Sequence, residues 1–150
     1  MIRIDLPDLA ATTALAEMIA GALVPGDVVA LHGDLGVGKT TLARAVLAAL
    51  GHHGEVPSPS FAIIELYEPP AVRLPVVHAD FYRLNRPADL AEIGLDDYRA
   101  GAVLLAEWPD HAGGFAHEPG CLTLRIEIRD NARRAIVDPG PLWHNRGLWT

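Results

Sequence analysis

Along the first thirty residues the apolar positions change period twice. Ile2, Ile4 and Leu6 alternate with polar neighbours, as a short half-buried strand requires. Leu9, Leu15, Met18, Ile19 and Leu23 then recur at helical spacing behind Asp8, a residue type that caps helix N-termini. After the Pro25-Gly26 turn, Val28-Val29-Ala30-Leu31 is wholly apolar, the mark of a parallel strand buried on both faces. Residues 33–38 form a glycine-rich turn, and residues 40–50 a helix that Gly51 stops.

The second half is richer in strands. A loop over residues 52–60 carries Pro57 and Pro59, and strands are predicted over 61–67, ended by Pro69-Pro70, and over 74–80. Residues 86–99 read as short helical pieces around Gly94, 102–107 as a third strongly apolar strand, and 109–120 as an irregular connection. Leu122, Leu124, Ile126 and Ile128 alternate, as do Ala135 and Val137, and the polar Asp130-Asn131 pair between them makes a hairpin. Helices and strands in this order predict a three-layer α/β fold with a mixed, partly parallel sheet and antiparallel strands at one end. One domain is expected over residues 1–138, followed by a tail, 139–150, to which the pattern assigns no structure.

Composition narrows the function classes. At 150 residues, half of them hydrophobic and 21% charged, the chain can bury a core as one globular domain. A net charge of −7 disfavours holding nucleic acid by phosphate neutralisation, so any RNA would be held by a partner. The single cysteine, Cys121, allows no intramolecular disulfide, which fits a reducing compartment. The seven histidines are scattered without metal-ligand spacing. The N-terminus has no apolar signal core, and no apolar run reaches the ~20 residues of a membrane helix. A cytoplasmic protein without membrane contact is expected.

The chemistry is concentrated in Gly33-Asp34-Leu35-Gly36-Val37-Gly38-Lys39-Thr40, which fits G-x-x-x-x-G-K-[ST]. The glycines let backbone N–H groups curl around phosphates, Lys39 supplies a cation for the β- and γ-phosphates, and the Thr40 hydroxyl suits Mg²⁺. The motif follows an apolar strand and opens a helix, which points its positive end at the phosphates. The architecture expected is therefore the three-layer P-loop NTPase fold. Hydrolysis also needs an acid at a neighbouring strand end. Val76-Val77-His78-Ala79-Asp80 and Val103-Leu104-Leu105-Ala106-Glu107 each deliver one. Absence of the base-reading N-K-x-D motif favours ATP over GTP. Ser58-Pro59-Ser60 stands where P-loop proteins place a γ-phosphate sensor, and an ordinary Ser/Pro turn is the competing reading. His78 reads equally as a shaper of the site or as a core histidine.

Together, the loop and Thr41, Ser58-Pro59-Ser60-Phe61, His78-Ala79-Asp80-Phe81-Tyr82-Arg83-Leu84 and Glu107-Trp108-Pro109 resemble the TsaE family, small bacterial P-loop ATPases of tRNA threonylcarbamoyladenosine biosynthesis. The resemblance runs from about residue 5 to 138. It implies that Gly33 opens the loop, that Gly36, Val37, Gly38, Lys39, Thr40 and Thr41 cradle ATP, and that Thr40 and Glu107 hold Mg²⁺. Asp80 would support the metal or the attacking water, so Lys39, Asp80 and Glu107 are the expected catalytic residues. Thr12 would lie near the nucleotide, Arg133 or Arg134 would reach it from the other side, and Trp108 would sit beside it. Ser60 replaces the family's threonine and keeps a hydroxyl. The implied partners are TsaD and TsaB, which transfer threonylcarbamoyl to adenosine 37 of tRNA. ATP hydrolysis would let that complex turn over, with tRNA contacted only through it. A small-molecule kinase and a non-catalytic nucleotide-gated binding module are the rival readings.

Overall fold

The computed structural model describes residues 1–56, 64–84, 86 and 89–149, apart from the Glu92 side chain. The elements are β1 (Ile2–Leu6), α1 (Leu9–Ala22), β2 (Val28–His32), α2 (Lys39–Ala49), β3 (Ile64–Tyr67), β4 (Val76–Asp80), α3 (Asp89–Ile93), α4 (Leu95–Arg99), β5 (Val103–Glu107), a 3₁₀ turn (Pro109–Ala112), β6 (Cys121–Arg129), β7 (Ala132–Pro139) and α5 (Pro141–His144). Local chemistry explains their limits. The Asp8 carboxylate accepts the Ala11 N–H at 2.9 Å and starts α1. Gly94, at φ 75°, separates α3 from α4. Asp130 and Asn131 both take positive φ in the tight turn that joins β6 to β7. Of the strand expected over 61–67, residues 64–67 form β3. Residues 61–63 and the Ser58-Pro59-Ser60 segment lie outside the described residues.

One seven-stranded sheet runs β1-β7-β6-β2-β5-β4-β3. Its centre is parallel: β2 pairs with β6 and β5, and β5 with β4. The hairpin and β1 form the antiparallel end foreseen from the pattern. The structure adds an antiparallel pair at the opposite edge, β3 with β4. The short connection over residues 68–75 dictates this, because a parallel crossover needs roughly a dozen residues or more.

Period-2 alternation then sorts the strands between two cores. Val29, Leu31, Val76, Val103, Leu105, Leu122, Leu124, Ala135 and Val137 face α1 and α2. Val28, Ala30, Val77, Ala79, Leu104 and Ala106 face the other way, toward Leu84, Leu95, Ala112 and Phe115. The wholly buried β4 and β5 are the sequence's apolar runs, covered on both sides. No helix among the described residues is long and apolar enough to cross a membrane.

The tail packs on the domain. Trp143, 1% exposed, joins the core under α1 and α2, and its indole N–H donates to the Gly120 carbonyl at 2.9 Å. Arg146 grips the buried Asp27 carboxylate with two N–H groups, at 2.6 and 3.0 Å, and stacks over the Trp143 ring. This clamp lies at the start of β2, the end of the sheet away from the glycine-rich loop.

Candidate nucleotide site

The loop over residues 33–38 leaves the end of β2 and enters α2 through three glycines with positive φ: Gly33 (139°), Gly36 (79°) and Gly38 (115°). At two of them close packing matters as well as conformation. A Cβ on Gly33 would lie 2.5 Å from the Ile126 carbonyl oxygen, and one on Gly38 would lie 3.2 Å from Arg133 Nε. Val37 is buried and anchors the loop, while Leu35 is exposed. Gly38 caps α2 with no side-chain hydrogen bond, and the first turn holds no acid. The first N–H groups of α2 therefore stay available to an anion at the helix's positive end.

Lys39, Thr40 and Thr41 open α2 over the face of the sheet where Glu107 and Asp80 end β5 and β4. These two acids are direct register partners, and Leu31 of β2 pairs with Glu107 as well. Three strand ends thus meet beneath the loop, in the crevice where open α/β sheets bind ligands. A cleft of about 340 Å³ opens there, lined by Gly36, Gly38, Lys39, Thr40, Thr41, Asp80, Glu107, Trp108 and Arg133, and also by Leu35, Tyr82 and Arg83. Gly38, Thr41 and Arg133 are shared with a second cleft of about 250 Å³, where Thr12 stands beside Asp8 and Asn131. Most of the residues singled out in the sequence therefore meet around two adjoining hollows. Val37 lies under the loop, and Ser60 is outside the described residues.

The polar contacts give the site its electrostatics. Lys39 Nζ donates to the carbonyls of Gly33 at 2.6 Å and Asp34 at 2.8 Å, and lies 4.5 Å from the centre of the Trp108 ring. Burial lowers its pKa, partly opposed by the nearby Glu107, Asp80 and Asp34 carboxylates. Thr40 Oγ1 donates to Glu107 Oε1 at 2.7 Å. The other oxygen of Glu107 lies 2.7 Å from His78 Nε2, a side chain with no exposed surface. Burial raises the pKa of Asp80 above the usual carboxylate range, outweighing the Tyr82 N–H that it accepts at 2.9 Å, which acts to lower it.

One wall is aromatic. Trp108 holds a left-handed backbone, φ 54°, rare for a large side chain and characteristic of strained functional segments. Its ring centre is 5.0 Å from that of Tyr82 and 5.3 Å from that of His111. His111 in turn faces the carbonyls of Phe81 and Tyr82 through Nδ1. His111 was not singled out in the sequence. Its only signal is closeness to Glu107-Trp108-Pro109, and it takes the fold to aim it.

Of the two arginines left open, the structure puts one at the clefts and the other on the opposite face. Arg133 lines both clefts and donates from Nε to the Val37 carbonyl. Arg134 points to the other face, where its Nε meets Asp5 at 3.2 Å. The alternation already contained this result, because Arg133 shares parity with the core residues Ala135 and Val137.

The donor set fits a magnesium–nucleotide complex. Thr40, Glu107 and Asp80 present only oxygen, as a hard cation prefers. Among the described residues, no three or more His, Cys, Asp or Glu side chains cluster at metal-holding distance. Mg²⁺ keeps waters and leans on one or two carboxylates plus substrate phosphates, a demand that two carboxylates and a hydroxyl can meet.

The family model for the threonylcarbamoyl adenosine biosynthesis protein TsaE matches residues 6–136. The tRNA threonylcarbamoyladenosine biosynthesis protein TsaE of Rickettsia conorii is 32% identical over 124 residues, which is 82% of this chain and 69% of that protein. Its namesake in Haemophilus influenzae is 38% identical over 104 residues, 69% of this chain and 64% of the other. The one in Bacillus subtilis is 42% identical over 98 residues, 65% of this chain and 60% of the other. The crystal structure of Bacillus subtilis YdiB superposes with a TM-score of 0.73 at 30% identity, over 95% of this chain and 88% of YdiB. The fold is thus the P-loop fold, and with the family's model matching from the last residue of β1 to the middle of β7, the chain belongs to the TsaE family, which serves tRNA threonylcarbamoyladenosine biosynthesis.

Proposed function

We propose that this chain is a Mg²⁺-dependent ATPase whose turnover drives the TsaB–TsaD complex as it threonylcarbamoylates adenosine 37 of tRNA. The observation that carries this reading is the convergence of an uncapped helix N-terminus, Lys39, Thr40 and two strand-end carboxylates on one cleft. On this reading the α2 N–H groups and the glycine loop bind the phosphates. Two N–H groups of Lys39 are occupied by the Gly33 and Asp34 carbonyls, which aim the third at the β- and γ-phosphates. Bound Mg²⁺, held by Thr40, Glu107 and Asp80, would supply charge neutralisation on the phosphate oxygens.

Water attacks the γ-phosphorus, the bond to the bridging oxygen breaks, and ADP and inorganic phosphate leave. Asp80 and Glu107 are the carboxylates placed to orient that water or take its proton. Arg133 and Thr12 contact the nucleotide from the second cleft. The Ser60 hydroxyl is proposed for the γ-phosphate. Residues 1–138 form the catalytic unit, braced by Trp143 and Arg146 of the tail. The protein works in the cytoplasm, and its acidic charge leaves tRNA contact to the partners.

ATPase assays of the chain alone and with purified TsaB and TsaD test this. Slow release of phosphate alone and strong stimulation by the pair are expected. Glu107→Gln should keep metal-independent ATP binding and lower turnover by about 100-fold or more, the scale of a lost catalytic group. Absence of stimulation with all components folded, or full function of Glu107→Gln, would sink the reading.

A further inference from the structure

His78 has no exposed surface, yet it occupies a slot in β4 that an apolar side chain could fill. It shares parity with Val76 and Asp80 and so faces α2, not the second core. Its register partner on β5 is Leu105, two residues before Glu107. The ring therefore reaches diagonally across one pleat, and Nε2 comes within 2.7 Å of Glu107 Oε2.

The second ring nitrogen settles the tautomer. Nδ1 is buried with no hydrogen-bond partner. A proton on Nδ1 would strand a donor in the interior and set a lone pair of Nε2 against the carboxylate. The proton therefore sits on Nε2 and is donated to Oε2. This leaves Oε1 for Thr40 Oγ1, also at 2.7 Å. His78, Glu107 and Thr40 form one chain of hydrogen bonds from β4 through β5 to α2, buried at His78 and Glu107 and half-buried at Thr40.

We infer that His78 is a positioning residue: it fixes the Glu107 carboxylate so that Oε1 and the Thr40 hydroxyl stand together at the loop. This rests on the reading of Glu107 and Thr40 as the pair that serves Mg²⁺. A merely structural histidine would stabilise the fold without touching the metal dependence of nucleotide binding.

The test compares affinity for a non-hydrolysable ATP analogue with Mg²⁺ and with EDTA, alongside thermal unfolding. His78→Phe keeps the volume and removes the donor. His78→Gln offers an amide N–H at the reach of Nε2. The expected result is that His78→Phe weakens Mg²⁺-dependent binding about tenfold, the usual effect of losing an outer hydrogen bond to a ligand. Binding in EDTA should stay within about twofold, and His78→Gln should restore most of the loss. Equal loss with and without Mg²⁺, or an unchanged Mg²⁺ effect in folded His78→Phe, overturns the inference. If His78→Phe does not fold, His78→Asn, whose amide is too short to reach Glu107, replaces it under the same criterion. Glu107→Ala separates the two claims. If it abolishes the Mg²⁺ effect and loss of the His78 donor does not, only the inference fails. If it leaves the Mg²⁺ effect intact, the reading of Glu107 fails and the inference falls with it.

Discussion

Asp80 shows how a site side chain can work against the fold that carries it. It is 7% exposed, and burial raises its pKa. Between the ordinary carboxylate value and that raised value, the folded chain holds a proton that the unfolded chain has lost. Stability therefore falls as pH rises through this window. Asp80→Asn is uncharged and keeps the acceptor for the Tyr82 N–H. It should melt higher than the parent protein at neutral pH, by about 2–4 °C for each kcal/mol recovered. The gain should shrink as pH drops toward the ordinary carboxylate range. Melting curves from neutral to acidic pH check this, and a variant that melts lower at neutral pH would show the ionised carboxylate to be stabilising. At the same scale, parity explains Arg133 and Arg134: neighbours on a strand face opposite ways, so only one could reach the loop.

At the scale of elements, the loop combines two glycine requirements. Gly36 has open space where a Cβ would go, so its positive φ alone constrains it. Gly33 has positive φ, and a Cβ there would also meet two close neighbours, the Ile126 carbonyl oxygen at 2.5 Å and Val37 Cγ2 at 2.7 Å. Gly36→Ala should cost about 1–2 kcal/mol, the usual penalty for a left-handed alanine. Gly33→Ala adds a clash with backbone and should cost on the order of 3 kcal/mol or more. Urea denaturation of both variants measures the difference, and equal costs would show that β6 yields. The contrast follows from Gly33 lying where the loop leaves β2, against its parallel neighbour β6. The motif reports that glycine is needed there, and the neighbouring strand determines how strictly.

For the whole molecule, the notable brace lies at the end opposite the site. Asp27 is 2% exposed and is neutralised by Arg146, which also donates to the Ala22 carbonyl. Removing one partner of such a pair leaves a charge buried, at about 3–5 kcal/mol. Arg146→Ala should lose about that much stability by chemical denaturation, with Asp27→Asn in the same chain recovering part of it. Nucleotide affinity of the folded protein should change little, since the clamp and the loop sit at opposite ends of β2. A loss of ATP binding without a loss of stability would contradict this separation of roles.

The strands, the helices before the tail, the hairpin, the phosphate loop and its two acids were legible from the sequence because each is written in neighbouring residues. Alternation marks a pleat, helical spacing marks a buried stripe, and Gly33 to Thr40 is a contiguous motif. Other features depend on residues far apart in the chain and emerge only when the sheet forms. Glu107 meets Thr40 and His78 because β5 lies between β2 and β4, an order no local pattern encodes. Thr12 and Arg133 line one cleft because β1 pairs with β7 and brings α1 to the hairpin. The tail carries too few apolar positions to show a period, and Trp143 and Arg146 find their partners at Gly120 and Asp27 only in three dimensions. Sequence alone thus determined which groups could handle a phosphate. Tertiary pairing decided which carboxylate oxygen faces the loop and which arginine reaches it, because hydrogen bonds and burial depend on distances through space.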